Sequence, residues 1–480
     1  MTNQNHALLR WLSACALACL LATPQSSVAQ GPVRPTLVST AAADTLPCWA
    51  CVPRPKKFWP AAGEMSVGLF VPWSYNAFIR KASFAWTNPH TWYDNIFGAW
   101  VWDDNAFLVN QIGHPYQGST YFSGFRNNGY GFWSSSAAAW VGSFLWECCY
   151  ETHPASPNDL ITTAVGGMSI GEFGRRLSDM IIDNRARGAE RFAREVTAGI
   201  VNPIRLFDRL VRAEAWKIGA NDPAARPAWF QGAMDLGYIG LSTTQETRDS
   251  TYGGGLLRLG LIYGDPMETV TGKPFSHFEL STALTSIPSA YLYSVRSRGS
   301  LGGRALRRDS TRTTLLASFL NYDYNKNPAY EFGAQSVTGG LLNRWRPNAK
   351  TSVYSDALVR GILLGAIETD FYNVTGEGRN YDFTAGLGVA LELAVVRRGL
   401  GSIRGTYNYS ALRTLDGAAS SHLLQGGEVT ARYNLGPQYA IGGMYRTSWR
   451  RSFYGDGRRT VANAPEFRLF LSTGLPRAEH

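Results

Sequence analysis

The sequence has little charge and no long hydrophobic run. Charged residues make up 17% of the 480 residues. After the N-terminal segment, no stretch is strongly apolar over about 20 residues, the length that a transmembrane helix needs. An ordinary helical membrane protein is therefore excluded. The aromatic content of 13% and the 50 glycines are instead typical of a transmembrane β-barrel, in which apolar side chains alternate with polar ones.

Cysteine is scarce as well. Of the six cysteines, Cys15 and Cys19 fall in the N-terminal segment. The pair Cys48 and Cys51 has no matching second pair, so it gives too few ligands for a zinc site. In an oxidising compartment this pair predicts a structural disulfide, with free thiols as the alternative.

Two familiar catalytic motifs are also absent. The sequence contains no His-Glu-x-x-His element and no Walker loop, so the usual signatures of zinc proteases and of nucleotide-binding proteins are missing. We predict no cofactor and no resident metal.

The chain begins with a secretory signal peptide, predicted over residues 1–29. Arg10 ends a short basic segment, residues 11–22 are apolar, and Ala29 ends a small-x-small cleavage site. The mature chain is expected to begin after Ala29. A lipoprotein signal is the alternative, but too little apolar sequence precedes its cysteine, Cys15. Export of this kind, together with a barrel, predicts the outer membrane of a Gram-negative-type bacterium.

Side chains alternate with a period of two over residues 226–476, which predicts an antiparallel outer-membrane β-barrel. About twelve such segments can be counted, and an even number suits bacterial barrels. In residues 383–395, apolar side chains at odd positions alternate with small or polar ones. A soluble β-sandwich is the alternative, with shorter strands and fewer outward aromatic residues. The side chains predicted to face the lumen are Thr384, Glu392, Arg404, Thr406, Asn408, Arg446 and Arg450.

Two further regions precede the barrel. Residues 30–86 have little periodicity, and we predict a flexible leader here, with one isolated strand within Met65–Tyr75. Residues 87–219 predict a helix-rich domain, because apolar residues such as Phe192 and Val196 recur at helical spacing. Two positions are open for this domain, which either lies in the periplasm or plugs the lumen.

The helix-rich domain contains a run of polar motifs. In order they are His-Pro-x-x-Gly from His114, Arg-x-x-Gly from Arg126, Ser-x-x-Trp-Glu-x-x-x-Glu from Ser143, Ser-x-x-Asp from Ser156 and Gly-Gly-x-x-x-Gly-Glu from Gly166. Over residues 94–183 this run resembles the bacterial family named domain of unknown function 3943. The resemblance implies a location in the envelope and a following barrel, but no established activity. A looser likeness to VanZ-like membrane proteins rests only on the order of these elements.

Four side chains of this run are candidate catalytic residues: His114, Glu147, Glu151 and Asp159. A helix over residues 136–150 puts Glu147 and Glu151 on one face. Ser156 or Asn158 is suited to cap the next helix, with Asp159 in its first turn. A carboxylate with the histidine could act as a general base in hydrolysis, or the set could bind a divalent metal. The residues predicted to bind a ligand are Arg126, Asn128, Ser156 and Glu172.

A structural role is the alternative for the same residues. Glu147, Arg126 and Asp159 can form a buried ionic network between helices, and Gly167 and Gly171 permit two helices to approach closely. Glu147 is the only charge within residues 130–150. We therefore expect it to be buried and to need a cation, hydrogen-bond donors or a proton. Arg126 is the predicted partner of Glu147, with His114 as the second choice.

Two functions stay open at this point. The first is a non-enzymatic outer-membrane barrel that forms a pore or binds lipid or an anionic ligand. The second is an envelope enzyme that acts on lipid or cell-wall material through His114 and the nearby acids. The net charge of +10 indicates affinity for anionic lipid head groups or anionic solutes, with a solvated basic surface as the alternative. Nucleic acid is not an expected partner of an exported protein, and the oligomeric state is not predicted.

Overall fold

The computed structural model describes residues 46–245, 248–288, 290–327, 330–371 and 379–475. The predicted signal peptide lies outside these described residues. The described chain has two parts, which are a helical region (residues 46–226) and a barrel that follows it. The predicted fold class, a helix-rich part before a β-barrel, is confirmed.

Eight α-helices make up the described helical region. Their bounds are α1 Phe58–Ser74, α2 Pro89–Phe97, α3 His114–Asn127, α4 Phe132–Cys149, α5 Pro157–Ile161, α6 Gly167–Ile181, α7 Gly188–Val201 and α8 Pro203–Val211. Two short π-helical turns, Val109–Gly113 and Thr162–Gly166, lead directly into α3 and α6. A disulfide bond joins Cys48 to Cys51.

The isolated strand predicted within Met65–Tyr75 is wrong, because this segment belongs to α1 and the π-helical turn that follows it. Five residues of α1 are buried at the three- and four-residue spacing of a helix face: Ala61, Glu64, Met65, Gly68 and Leu69. Phe70 and Val71 are apolar but exposed. The helix is therefore apolar on several faces, and this hid its period in the sequence.

The helices pack closely around α3, and glycine makes this possible. A Cβ atom on Gly118 would lie 1.8 Å from the carbonyl oxygen of Thr163, and one on Gly167 would lie 2.5 Å from the carbonyl carbon of Gly118. Any side chain at these two positions would push α3 and α6 apart. The close approach predicted for Gly167 is confirmed.

Twelve antiparallel strands form one closed sheet, as predicted. Their bounds are β1 Phe230–Gln245, β2 Arg248–Tyr263, β3 Phe278–Thr285, β4 Leu292–Arg308, β5 Arg312–Asn327, β6 Tyr330–Asn348, β7 Thr351–Glu368, β8 Tyr381–Arg397, β9 Gly401–Asp416, β10 Ser420–Asn434, β11 Tyr439–Tyr454 and β12, which is built from Arg459–Asn463 and Glu466–Leu475. β12 pairs with both β11 and β1 and so closes the barrel. We call the end where β1 begins the entry end, and the opposite end the far end.

The two faces of the sheet can be assigned from β8. Leu387, Leu391 and Leu393 are 68%, 47% and 56% exposed. Because side chains alternate along a strand, Glu392 points to the opposite face, where it forms an ion pair of 3.3 Å with Arg404 of β9. The exposed leucine row is the lipid-facing wall, and the charged face is the lumen. Strand register puts the other predicted lumen residues on the charged face as well.

Ion pairs cross the lumen. Arg296 of β4 lies 3.9 Å from Glu428 of β10, and Arg298 of β4 lies 3.3 Å from Asp356 of β7. A short helix between β2 and β3, α9 (Pro266–Thr269), packs its Met267 against inward-facing side chains of β5. The lumen is therefore narrowed by its own side chains at mid-height and by α9 near the entry end.

The helical region packs against the outside of the barrel. Trp102 contacts Phe383 of β8, with ring centroids 5.1 Å apart. Phe383 belongs to the same outward row as Leu387, since both are odd positions of an uninterrupted strand. Tyr322 of β5 donates a hydrogen bond to the carbonyl oxygen of Gln111 and also lies on an outward face.

These contacts run along the height of the wall. Near the entry end Phe132 stacks on Phe275, with centroids 5.4 Å apart, and at the far end Phe107 packs edge-on against Tyr381 at 5.0 Å. Of the two positions left open by the sequence, a plug in the lumen is therefore wrong, and the helical region lies along the wall instead of extending into the periplasm clear of it. The sequence could not reveal this, because the dyad pattern does not say which outward residues are covered by protein. No helix in the described part of the chain is long and apolar enough to cross a membrane.

Candidate functional site

Four acidic side chains and one histidine lie together in the helical region, and we call them the acid–histidine site: Asp103, His114, Glu147, Glu151 and Asp159. The Nε2 atom of His114 lies 3.5 Å from Oδ1 of Asp159. One potential ligand atom from each of Asp103, His114 and Asp159 lies within 4.8 Å of the other two. The structure thus brings the four predicted catalytic residues together with one that was not predicted, while their roles stay predictions.

Local structure explains why these residues converge. Ser156 caps α5 by accepting a hydrogen bond from the backbone N–H of Asp159, as predicted. The backbone N–H of Ser156 in turn donates to Oε2 of Glu147 at 2.8 Å. Asn95 of α2 donates to the carbonyl oxygens of Glu147 and Glu151, at 3.0 and 2.9 Å. Helices α2, α4 and α5 are therefore fastened to one another around the site.

Asp103 and its partners were missed from the sequence. The Nδ2 atom of Asn110 donates to Oδ2 of Asp103 at 2.9 Å. Asn158 links Asp103 to Asp159, since it accepts from the N–H of Asp103 at 2.9 Å and donates to Oδ1 of Asp159 at 2.8 Å. The sequence did contain a signal for Asp103, because Asp103 and Asp104 are isolated charges after an aromatic stretch. The same reasoning, an isolated charge among apolar residues, had selected Glu147.

The electrostatics of the site favour protons or a cation. Among the described residues, no lysine or arginine forms an ion pair with any of its four acids. Burial, followed by the nearby Glu151 and Asp159, raises the pKa of Glu147. Burial and Asp103 raise the pKa of Glu151 to about 8 and also raise the pKa of Asp159. Burial lowers the pKa of His114 in spite of the neighbouring Asp103, so the imidazole is held neutral and can act as a ligand.

Arg126 is not the partner of Glu147, and this prediction is wrong. Arg126 forms a two-pronged ion pair with Glu172, at 2.7 and 2.9 Å, and Glu172 also binds Arg176 at 3.0 Å. Although burial raises the pKa of Glu172, Arg126 and Arg176 hold it below its ordinary value. The predicted network of Glu147, Arg126 and Asp159 therefore divides into two separate clusters. Nearness in sequence misled the assignment, since Arg126 ends α3 while the acid–histidine site adjoins its start.

The predicted ligand-binding residues divide among three separate groups of contacts. Ser156 lies at the acid–histidine site. Arg126 and Glu172 neutralise each other, and Asn128 donates to Glu64 of α1 at 2.6 Å. A role for these residues in binding a ligand stays a prediction.

One serine motif that sequence reasoning overlooked does not form a nucleophile site. The letters Gly-x-Ser-x-Gly occur at Gly167–Gly171, but the segment lies inside α6 and Ser169 is buried. A nucleophile elbow instead sits on a sharp turn between a strand and a helix, with its serine exposed.

Residues 99–204 match the family model described as "Domain of unknown function (DUF3943)". The matched segment contains all five residues of the acid–histidine site, and the barrel follows it, so the predicted resemblance is confirmed. No curated protein matches the chain.

The barrel is similar to solved outer-membrane structures. "KdgM porin" is 9% identical, with 50% of this chain and 98% of that chain covered and a TM-score of 0.23. "NanC porin structure in rhombohedral crystal form" is 8% identical, with 49% and 98% covered and a TM-score of 0.26. A FadL homologue from Pseudomonas aeruginosa is 9% identical, with 53% and 92% covered and a TM-score of 0.25. Scores this low carry no argument about function.

Proposed function

We propose that this chain is an outer-membrane enzyme whose acid–histidine site binds a divalent cation and hydrolyses lipid or cell-wall material. The observation that carries the proposal is the approach of Asp103, His114 and Asp159 to within 4.8 Å of one another. Two carboxylates and one neutral imidazole are a ligand set for Zn²⁺ or Mn²⁺. No other described groups of at least three such residues lie this close.

The two remaining acids suit the second half of such a reaction. A divalent cation held by Asp103, His114 and Asp159 would supply Lewis-acid chemistry, which makes water easier to deprotonate near neutral pH. Glu147 and Glu151 have raised pKa values, so either can hold a proton taken from that water and return it to the leaving group. In the reaction, the water oxygen forms a bond to the carbonyl carbon or the phosphorus atom of the substrate. The bond from that atom to the leaving oxygen breaks.

The side chains in the lumen favour a barrel that serves as a membrane anchor for this site over a barrel that serves as an open pore. Ion pairs join β4 to β7 and to β10 across the lumen. Their side chains occupy space that water would fill in a wide channel. A pore, or a barrel that binds an anionic ligand, stays the second candidate, because Arg404 in the lumen is 49% exposed.

Cation binding is the first test. Titration calorimetry of the detergent-solubilised chain with Mn²⁺ and with Zn²⁺ should give one site, and Asp103→Asn should weaken it by about tenfold or more. Asp94→Asn is the matched control, since Asp94 is an acid on the neighbouring helix α2 whose side chain is 56% exposed. Absence of binding in the unsubstituted chain would overturn the proposal.

Hydrolysis is tested separately. Outer-membrane lipid and cell-wall fragments are incubated with the chain and compared by mass spectrometry, with and without a chelator. A product that requires both the cation and Asp103 supports the enzyme. Cation binding with no product in either material would leave a binding protein and contradict the hydrolytic half.

A further inference from the structure

Part of the outer surface of the helical region is apolar, and helices α1 and α4 show it most clearly. Each contains one charged residue, Glu64 in α1 and Glu147 in α4, and both are buried. Large apolar side chains are exposed in their place: Phe58, Trp59, Phe70 and Val71 on α1, and Trp133, Trp140, Val141 and Phe144 on α4. A helix that faces water carries polar side chains on its outer face.

Helix α8 is amphipathic in the inverted sense. Two of its three charged residues, Asp208 and Arg209, are 1% and 2% exposed, and the side chain of the third, Arg205, is 12% exposed, whereas Leu210 and Val211 are 42% and 71% exposed. The buried charges are satisfied by ion pairs, such as that between Arg209 and Glu195 at 2.7 Å. Polar groups turned inward and apolar groups turned outward are the arrangement that a hydrocarbon environment favours.

At α4 this apolar surface adjoins the lipid-facing wall of the barrel, because Phe144 of α4 stacks on Trp100, two residues before Trp102. Trp102 of the helical region covers Phe383 on the outward row of β8. Leu387, which is four residues further along β8 and on the same outward row, is uncovered and 68% exposed. The lipid that contacts Leu387 on the barrel wall therefore also reaches the edge of the helical region at Trp102.

We propose that the helical region is embedded in the membrane beside the barrel, with the exposed apolar side chains of α1, α4 and α8 in contact with lipid acyl chains. No single helix has to cross for this to hold, because the helices satisfy their own backbone groups and shield one another's polar side chains. Lipid is the partner that covers this apolar surface, because the barrel wall next to it already faces lipid.

This position suggests a substrate class for the acid–histidine site, a step that rests on the proposed function. Helix α2, which is fastened to Glu147 through Asn95, exposes Tyr93 and Phe97 at 62% and 72%. The segment that carries Asp103 exposes Val101 at 52%. An amphiphile can therefore place its polar head group at the site while its chains contact these apolar side chains.

Lipid contact is tested with spin labels in proteoliposomes of phosphatidylcholine and phosphatidylglycerol. A nitroxide is attached at Val141→Cys on α4. Val389→Cys on the lipid-facing row of β8 and Asp456→Cys in the far-end turn before β12 serve as lipid and water references, and the unsubstituted chain gives the background. All three positions are exposed, so the substitutions should not disturb folding.

We expect the ratio of oxygen accessibility to nickel-chelate accessibility at position 141 to equal that at position 389 and to exceed that at position 456 several-fold. A ratio equal to that at position 456 would mean that the surface faces water. Low accessibility to both reagents would mean that another protein, such as a second copy of the chain, covers it. Either result would overturn the inference. Mn²⁺ titration of the same samples reports the cation site on its own, so failure of one proposal can be told from failure of the other.

Discussion

Asn110 of the helical region and Tyr381 of the barrel are joined by a buried hydrogen bond of 2.6 Å. The Nδ2 atom that donates it also donates to Asp103 at 2.9 Å, and the Tyr381 hydroxyl donates to the carbonyl oxygen of Asn105 at 2.9 Å. The barrel wall therefore helps to position an acid of the proposed cation site. This gives the association of the two parts a role beyond membrane anchoring.

Removal of the Tyr381 hydroxyl should weaken both docking and the site. In Tyr381→Phe the half-buried Asn105 carbonyl loses its donor and the buried Asn110 side chain loses an acceptor. An unsatisfied buried polar group lowers the unfolding free energy by about 1–3 kcal/mol. The melting temperature in detergent should therefore fall, and the affinity for Mn²⁺ should fall with it. Tyr439→Phe, at a 61% exposed position of the lipid-facing wall, is the control and should melt like the unsubstituted chain. Unchanged cation affinity in Tyr381→Phe would contradict the link between wall and site.

The sequence predicted the barrel well because its physical signal is repeated. A membrane barrel needs alternation in every strand, and β8, for example, alternates without interruption from Phe383 to Val395. The position of the helical region was out of reach. Tyr322 and Phe383, which it covers, are apolar outward residues like the lipid-facing Leu387, and nothing local distinguishes them.

The site was predicted in part, for a similar reason. His114, Glu147, Glu151 and Asp159 stand out as polar residues in an apolar or glycine-rich segment, and burial makes such residues either paired or functional. Asp103 lies in an irregular segment with no periodicity to orient it. The choice of Arg126 for Glu147 failed because ion pairs form between neighbours in space.

Arg126 and Glu147 should respond differently to loss of charge. Arg126→Met leaves Glu172 with a single cation, Arg176, and should lower the unfolding free energy by about 3 kcal/mol, at the low end of the range for broken buried pairs. Glu147→Gln removes a charge from a cluster of acids and keeps an oxygen for the Ser156 N–H, so without added cation it should melt at or above the unsubstituted temperature. Thermal melting in chelator measures both. A large destabilisation by Glu147→Gln would show that Glu147 has a structural cation after all.

Glu64 should make stability depend on pH. Burial, then Asp208, raises its pKa from 4.5 to about 7, so the folded chain holds a proton that the unfolded chain releases. The unfolding free energy should therefore fall as pH rises through this window, by up to roughly 3 kcal/mol from this group. In Glu64→Gln the fall between pH 5 and pH 7.5 should be smaller. Glu190→Gln, at a side chain that is 60% exposed, should keep the full dependence. Equal slopes in the two variants would contradict a protonated Glu64.

The lumen should conduct poorly until its crossing ion pairs are removed. Arg296 and Glu428 lie on strands six positions apart in a ring of twelve, so their contact at 3.9 Å joins opposite walls. In planar bilayers the unsubstituted chain should show little conductance, and the double variant Arg296→Ala with Glu428→Ala should raise it several-fold, because two large side chains leave the narrow section. Val429→Ala, the lipid-facing neighbour of Glu428 with 55% exposure, should leave conductance unchanged. If the unsubstituted chain already passes ions as freely as the double variant, the barrel is a pore, and the anchoring role proposed for it is wrong.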